Sequence, residues 1–183
     1  MSKKNRPVFR IKRNDEEGEF EVTAGGVVLY RIVDKQLELL LMLNRGKYED
    51  FGGTVDSKDI NIIDTISREV NEESNGLIQG ESIKSRIKDL PYILSKTSKY
   101  IIYILEANEY EEKLTSEQFG DKEIHDDIYR TVHWVPIVEF LNPETIKNKL
   151  NFRLRNKELF NCLKRLDPVA EQIDSNQKVI YLF

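Results

Sequence analysis

Arg68-Glu69-Val70-Asn71-Glu72-Glu73 packs three carboxylates into five residues, a short way downstream of Gly52-Gly53. On a helix Glu69, Glu72 and Glu73 stand at positions i, i+3 and i+4 and point to one side. Like charges crowded in this way repel. The natural partner for them is a hard divalent cation, Mg2+ or Mn2+, which takes carboxylate oxygens and keeps coordination sites for water and phosphate. A run of acids on a helix is more often a plain solvated face; here the surroundings argue for chemistry. A Gly-Gly turn, a polar linker with Asp56 and Asp59, the acid-bearing helix and a helix-ending Gly76 follow one another in that order.

This order resembles the signature of the Nudix hydrolases, which reads Gly, five residues, Glu, seven residues, Arg-Glu-aliphatic-x-Glu-Glu, one residue, Gly, aliphatic. Gly53, five residues, Asp59 and then Arg68-Glu69-Val70-x-Glu72-Glu73 match it over about a sixth of the chain. Asp59 stands in place of the first Glu, eight residues precede Arg68, and two separate Glu73 from Gly76. The resemblance implies an α/β fold, a Nudix-type α/β/α sandwich with a mixed central sheet. It implies a metal-dependent pyrophosphohydrolase that cleaves the diphosphate linkage of a nucleoside diphosphate joined to another moiety. Glu69, Glu72 and Glu73 would ligate Mg2+ or Mn2+, with Glu72, Glu73 and Arg68 catalytic, while the acid matching Asp59 would brace loop against helix. It further implies an acid from a downstream loop. Glu111, Glu112, Glu117 and Glu123 qualify by position, and Glu123 is favoured because 119–127 carries more ligand-type residues than its neighbours. The resemblance also allows capped mRNA as substrate, gripped by a basic arm at 3–13 and a basic stretch at 147–157, and highly phosphorylated inositols. An alternative of another class is a Nudix-shaped module that binds a nucleotide or RNA without cleaving it.

Other residues bear on the same chemistry. Gly52 and Gly53 let backbone approach a ligand with no Cβ in the way. Arg45 and Lys47, just before them, are placed to reach phosphate, the one as a planar fork and the other as a point charge. Asp59, or Ser57 before it, suits the N-cap of the acidic helix. Of the two histidines, His133 alternates with Val132 and Trp134 as a packing residue does, and His125, among acids, is better suited to proton transfer. Tyr48 and Phe51 border the glycines, where an aromatic ring packs or stacks on a base.

The elements that must position these groups are legible from periodicity. Residues 21–33 and 37–43 read as strands, the second buried on both faces, with a turn at 34–36. Within a helix expected over 59–75, Ile63, Ile66 and Val70 make the core-facing stripe beside the glutamates. A helix at 82–89, strands at 99–105 and 131–135, and a late amphipathic helix with Leu159, Leu163 and Leu166 complete the pattern. With 183 residues, one domain over 20–183 preceded by a flexible arm at 1–19 is expected. The apolar 179–183 would dock as an added strand or serve an interface. A net charge of −4 argues against a protein that coats nucleic acid by bulk positive charge. A single cysteine, Cys162, and no apolar run of membrane-spanning length point to a cytoplasmic protein without a membrane partner. The partner expected is a phosphorylated small molecule, and the oligomeric state is left open.

Overall fold

The computed structural model of the chain describes residues 7–12, 18–123 and 128–169. Expectations for His125, for 179–183 and for most of the N-terminal arm fall outside them. Within the expected arm, β1 (Phe9–Lys12) pairs antiparallel with β2 (Glu19–Val22) as a small ribbon. Seven further strands form one sheet: β3 (Ala24–Val33), β4 (Gln36–Asn44), β5 (Lys47–Glu49), β6 (Phe51–Thr54), β7 (Tyr92–Ser95), β8 (Tyr100–Glu106) and β9 (Arg130–Pro136). β3 and β8 run parallel and the remaining pairings are antiparallel, so the sheet is mixed. The turn between β3 and β4 has Asp34 and Lys35 both at positive φ, 50° and 67°, which matches the twist of a tight hairpin.

Alternation along the strands makes two cores. Val27 and Leu29 of β3 with Ile101 and Tyr103 of β8 face one side, where α1 (Ile62–Glu73) and α2 (Gly80–Ile87) pack. Val28 of β3 and Ile102 of β8 face the other, against Phe140 at the end of the short α4 (Ile137–Phe140) and Leu159 and Leu163 of α6 (Lys157–Leu166). Between these lie α3 (Ser116–Phe119), before β9, and α5 (Pro143–Asn148), before α6. Helices thus cover both faces of a mixed sheet, the α/β/α sandwich expected from the sequence.

The acid-bearing helix is shorter than the expected 59–75. Its N-cap is Asn61, whose side chain accepts from the amides of Ile63 and Asp64; neither Asp59 nor Ser57 caps it. The buried stripe is Ile62, Ile66 and Val70, at four-residue steps, with Ile63 partly buried beside it. Ile66 and Val70 are fully buried, each worth roughly 1.5–3 kcal/mol in removal from water. That anchorage holds the adjoining Glu69–Glu73 side of α1 against β6.

Candidate functional site

The glycine pair expected in a turn is strand. β6 pairs antiparallel with β3, Gly52 opposite Gly26 and Gly53 opposite Gly25. α1 crosses so closely that a Cβ on Gly53 would collide with the Glu69 carboxyl. On the free edge of β6, the Gly52 amide donates to Glu73 Oε2 at 2.7 Å. Glu69 and Glu73 are thereby brought together beside the glycines.

Arg68 organises the other acids. Its Nη1 donates to Glu69 Oε1 at 2.8 Å and Glu72 Oε2 at 3.1 Å, Nε and Nη2 hold Asp59 at 3.2 and 3.1 Å, and Nη2 also meets the Thr54 carbonyl at 3.0 Å. Asp59 accepts in addition from the Thr65 hydroxyl and the Asp56 amide, both at 2.8 Å. Asp59 therefore ties the linker to α1 across its first two turns. The extra residue before Arg68 is taken up in 56–61 rather than in the helix. At the other end, Asn75 and Gly76 adopt positive φ, 55° and 76°, and the Gly76 amide closes back on the Asn71 carbonyl at 2.8 Å. The second extra residue is absorbed there.

The charges are unevenly matched. Burial, and next the neighbouring Glu69, push the Glu73 carboxyl well above the usual carboxylate range, against the Gly52 amide and Arg153. Burial likewise raises Glu69, with Arg68 opposing. For Asp59 burial is outweighed by Arg68, the Asp56 amide and Thr65, which hold it below its ordinary value. Glu72 is 41% exposed and pairs with Arg68. As the side chains stand, no three Asp, Glu, His or Cys side chains among the described residues form a group that could hold a metal ion. Arg68 takes one oxygen each of Glu69 and Glu72. Glu69 Oε2 and Glu73 Oε1 take no hydrogen bond among the described residues. They are hard oxygen donors on two side chains within electrostatic reach of one another, a chemistry that suits Mg2+ or Mn2+.

Of the expected phosphate-binding cations, Arg45 sits exposed at the tip of the β4–β5 hairpin with φ 48°, and Lys47 Nζ donates to the Asn148 carbonyl at 2.6 Å, away from the acids. The cation that touches the glycines is Arg153, whose Nη1 donates to the Gly52 carbonyl at 3.2 Å. Other cations of the expected RNA-gripping stretch are also engaged by the chain itself: Arg155 with the Lys147 and Leu150 carbonyls, Lys149 with Glu139 at 3.9 Å.

Glu111, one of the four candidate loop acids, is buried and bound by both oxygens to Arg86. Glu123 lies within electrostatic reach of Arg130. Arg130 in turn donates to the carbonyls of Glu73, Phe119 and Gly120 at 2.6, 3.1 and 2.9 Å, and Asn75 Nδ2 donates to the Phe119 and Lys122 carbonyls, each at 2.9 Å. These bonds fasten the Glu123 loop to the C-terminal end of α1. His133 bonds Ser116 Oγ and Thr131 Oγ1 on the far strand, as a packing residue. Phe51 is fully buried against Phe119 and Tyr48 is buried with its hydroxyl on Glu139, so neither ring offers a face to a base.

With this geometry in hand, the chain can be set beside known proteins. It matches no protein-family model and no curated protein. Among solved structures it is similar to a C. elegans Ap4A hydrolase in a binary complex, at 18% identity over 82% of this chain and 98% of that one, with a TM-score of 0.42. It is similar also to the NUDIX domain of Shewanella oneidensis NrtR complexed with ADP ribose, at 14% identity over 79% and 88%, TM-score 0.44. A mutT/nudix family protein from Listeria innocua gives 15% identity over 84% and 96%, TM-score 0.39. At such values, function has to be read from the residues of the site. Among the described residues no helix is long and apolar enough to cross a membrane.

Proposed function

We propose that this chain is a Nudix-type, metal-dependent pyrophosphohydrolase that cleaves a diphosphate linkage in a nucleoside diphosphate joined to another moiety. The observation that supports the reading most is the meeting of Glu69 and Glu73 against Gly52-Gly53, two partly buried carboxylates with fewer cations than their charge requires. Glu69, Glu72 and Glu73 would hold Mg2+ or Mn2+. Such a cation, when bound, supplies charge neutralisation for the diphosphate and makes water acidic enough to attack near neutral pH.

The remaining steps belong to the chain's own groups. Arg68 fixes Glu69 and orients the acidic face through its planar fork. Its bond to Glu72 involves a carboxylate 41% exposed, and such links are worth about 0–1 kcal/mol, too little to keep Glu72 from turning to another partner. The Gly52 amide orients Glu73, and the bare Gly53 leaves room for Glu69 and for a phosphate. Glu123, on the loop tied to α1 by Arg130 and Asn75, is the candidate for the additional acid or base. Arg45, at the exposed hairpin tip, is a cation placed to meet a substrate phosphate, whereas Lys47 is held by Asn148.

A second reading is supported by the Arg68 links themselves. Because no metal-holding trio stands ready among the described residues, a domain that binds a nucleotide without cleaving it fits the same side-chain arrangement. Hydrolysis of ADP-ribose and Ap4A, with Mg2+ and with Mn2+, separates the two. The native chain is expected to cleave at least one of them. Glu72→Gln and Glu73→Gln are expected to lower kcat by about 1,000-fold, roughly 4 kcal/mol of barrier. Binding without cleavage would establish the second reading, and cleavage that survives both substitutions would remove the metal assignment.

A further inference from the structure

Behind β6 lies a buried polar cluster that no step above uses. Asp50, fully buried, accepts from the Tyr100 hydroxyl at 2.7 Å, and Arg153 lies over the Tyr100 ring at 4.9 Å. The Arg153 guanidinium is 3.5 Å from both Asp50 Oδ1 and Glu49 Oε2. Its backbone is fixed as well: the Arg153 amide donates to Asn151 Oδ1 at 3.1 Å, and Asn151 is bonded to Glu49 Oε1 and to the Tyr48 carbonyl, each at 2.9 Å. The cluster fits under the strands because residues 26 and 52 are glycines; a Cβ on Gly26 would strike Asp50 and Tyr100, and one on Gly52 would strike Tyr100.

A strand residue points its N–H and its C=O to the same edge. On the outer edge of β6, therefore, the Gly52 amide holds Glu73 while the Gly52 carbonyl is held by Arg153. One peptide segment is clamped between an acid of α1 and a base from a segment a hundred residues later. A second observation sets the cluster apart from ordinary packing. Asp50 Oδ1 and Arg153 Nε are both buried without a hydrogen-bond partner among the described residues, an arrangement poor for stability alone.

We propose that Arg153, seated on Tyr100 and paired with Asp50, is a positioning residue that sets the Gly52 peptide and, through it, the Glu73 carboxylate. The inference rests on the metal-dependent reading of the Glu69–Glu73 site. Loss of Arg153 leaves Gly52 free to shift along the edge of β6, so Glu73 loses its orientation while the glutamates themselves remain.

The test uses the full chain with Arg153→Met, Arg153→Lys and the double variant Asp50→Asn/Arg153→Met, which removes both buried charges together and so keeps the fold from carrying an unpaired one. Three quantities are read: hydrogen exchange of the Gly52 amide by NMR, Mn2+ affinity by electron paramagnetic resonance, and kcat and KM for ADP-ribose or Ap4A, whichever the native chain cleaves. In the folded Met variants, Gly52 exchange is expected to accelerate, Mn2+ affinity to fall by about 10- to 100-fold, and kcat to fall with KM little changed. Arg153→Lys, which restores charge without the fork, is expected to recover part of each. Folded variants with a protected Gly52 amide and native Mn2+ affinity would overturn the inference. A native chain that neither binds Mn2+ nor cleaves would overturn the metal reading first, and the inference with it.

Discussion

Arg68 and Arg86 both fasten a helix on the same face of the sheet to a neighbouring segment, and their surroundings differ in charge. Arg86 of α2 meets one acid: Nη1 lies 2.8 and 2.9 Å from the two oxygens of Glu111, which also accepts from the Asn108 amide at 2.8 Å, and Nη2 reaches the Glu106 carbonyl. Cation and anion balance. Arg68 meets Asp59, Glu69 and Glu72 at once, with Glu73 a further negative group beside them. One pair closes a structure; the other leaves an electrostatic deficit of the kind that a bound cation relieves, which is why the two clusters are expected to respond oppositely to substitution and to metal.

The largest effect expected is on the balanced side. Arg86→Met strands Glu111, 2% exposed, without its partner and should lower unfolding free energy by about 3–5 kcal/mol in denaturant titration, with Mn2+ affinity unchanged. An equal loss of stability in Arg68→Met would erase the distinction. Gly53→Ala comes next. Its methyl has no space beside the Glu69 carboxyl, so the acid must move, and a displacement near 1 Å is expected to cost about 100-fold in kcat while the fold persists. Activity equal to the native chain would show that Glu69 need not sit there.

The smallest effect sharpens the comparison most. Glu73 and Glu69 have folded values raised above the ordinary 4.5, so the stability they contribute is present below that pH and is lost as pH rises through their folded values. Asp59, lowered from 3.8, acts in reverse, its contribution present above that value and lost on acidification. In chelator, thermal stability should therefore decline as pH is raised above about 4.5, by at most about 1.4 kcal/mol per pH unit for each group. Mn2+ should cancel the decline and Glu73→Gln should flatten it. A profile identical in native and Glu73→Gln chains would remove Glu73 as its source.

What the sequence made legible was what lies close along the chain. The three glutamates share a helical turn, so their common face follows from spacing; the run 37–43 reads as a strand buried on both faces and 99–105 as a β-prone strand. The cap was misplaced by two residues because Asp59 and Asn61 are equally good caps, and Asp59 is drawn off by Arg68 and Thr65, contacts that depend on how the linker folds back. Gly52-Gly53 resembled a turn because glycine weakens a strand; it is strand because α1 must pass within contact of it. Arg45 and Lys47 stand near the glycines only in sequence, whereas Arg153, a hundred residues downstream, arrives at Gly52. Nothing in the local pattern near Arg153 signals Asp50 or Tyr100, since a fold alone brings the three together.

One edge of β3 serves two partners in succession, β6 along residues 24–27 and β4 along 29–33. The glycines thus hang from a brief ladder at one end of a long strand, whereas β4 is stitched to β9 over seven residue pairs. Detaching the short branch leaves the trunk of the sheet whole. Gentle heating or dilute denaturant is accordingly expected to speed hydrogen exchange of the β6 amides at temperatures where far-ultraviolet dichroism still records an intact protein.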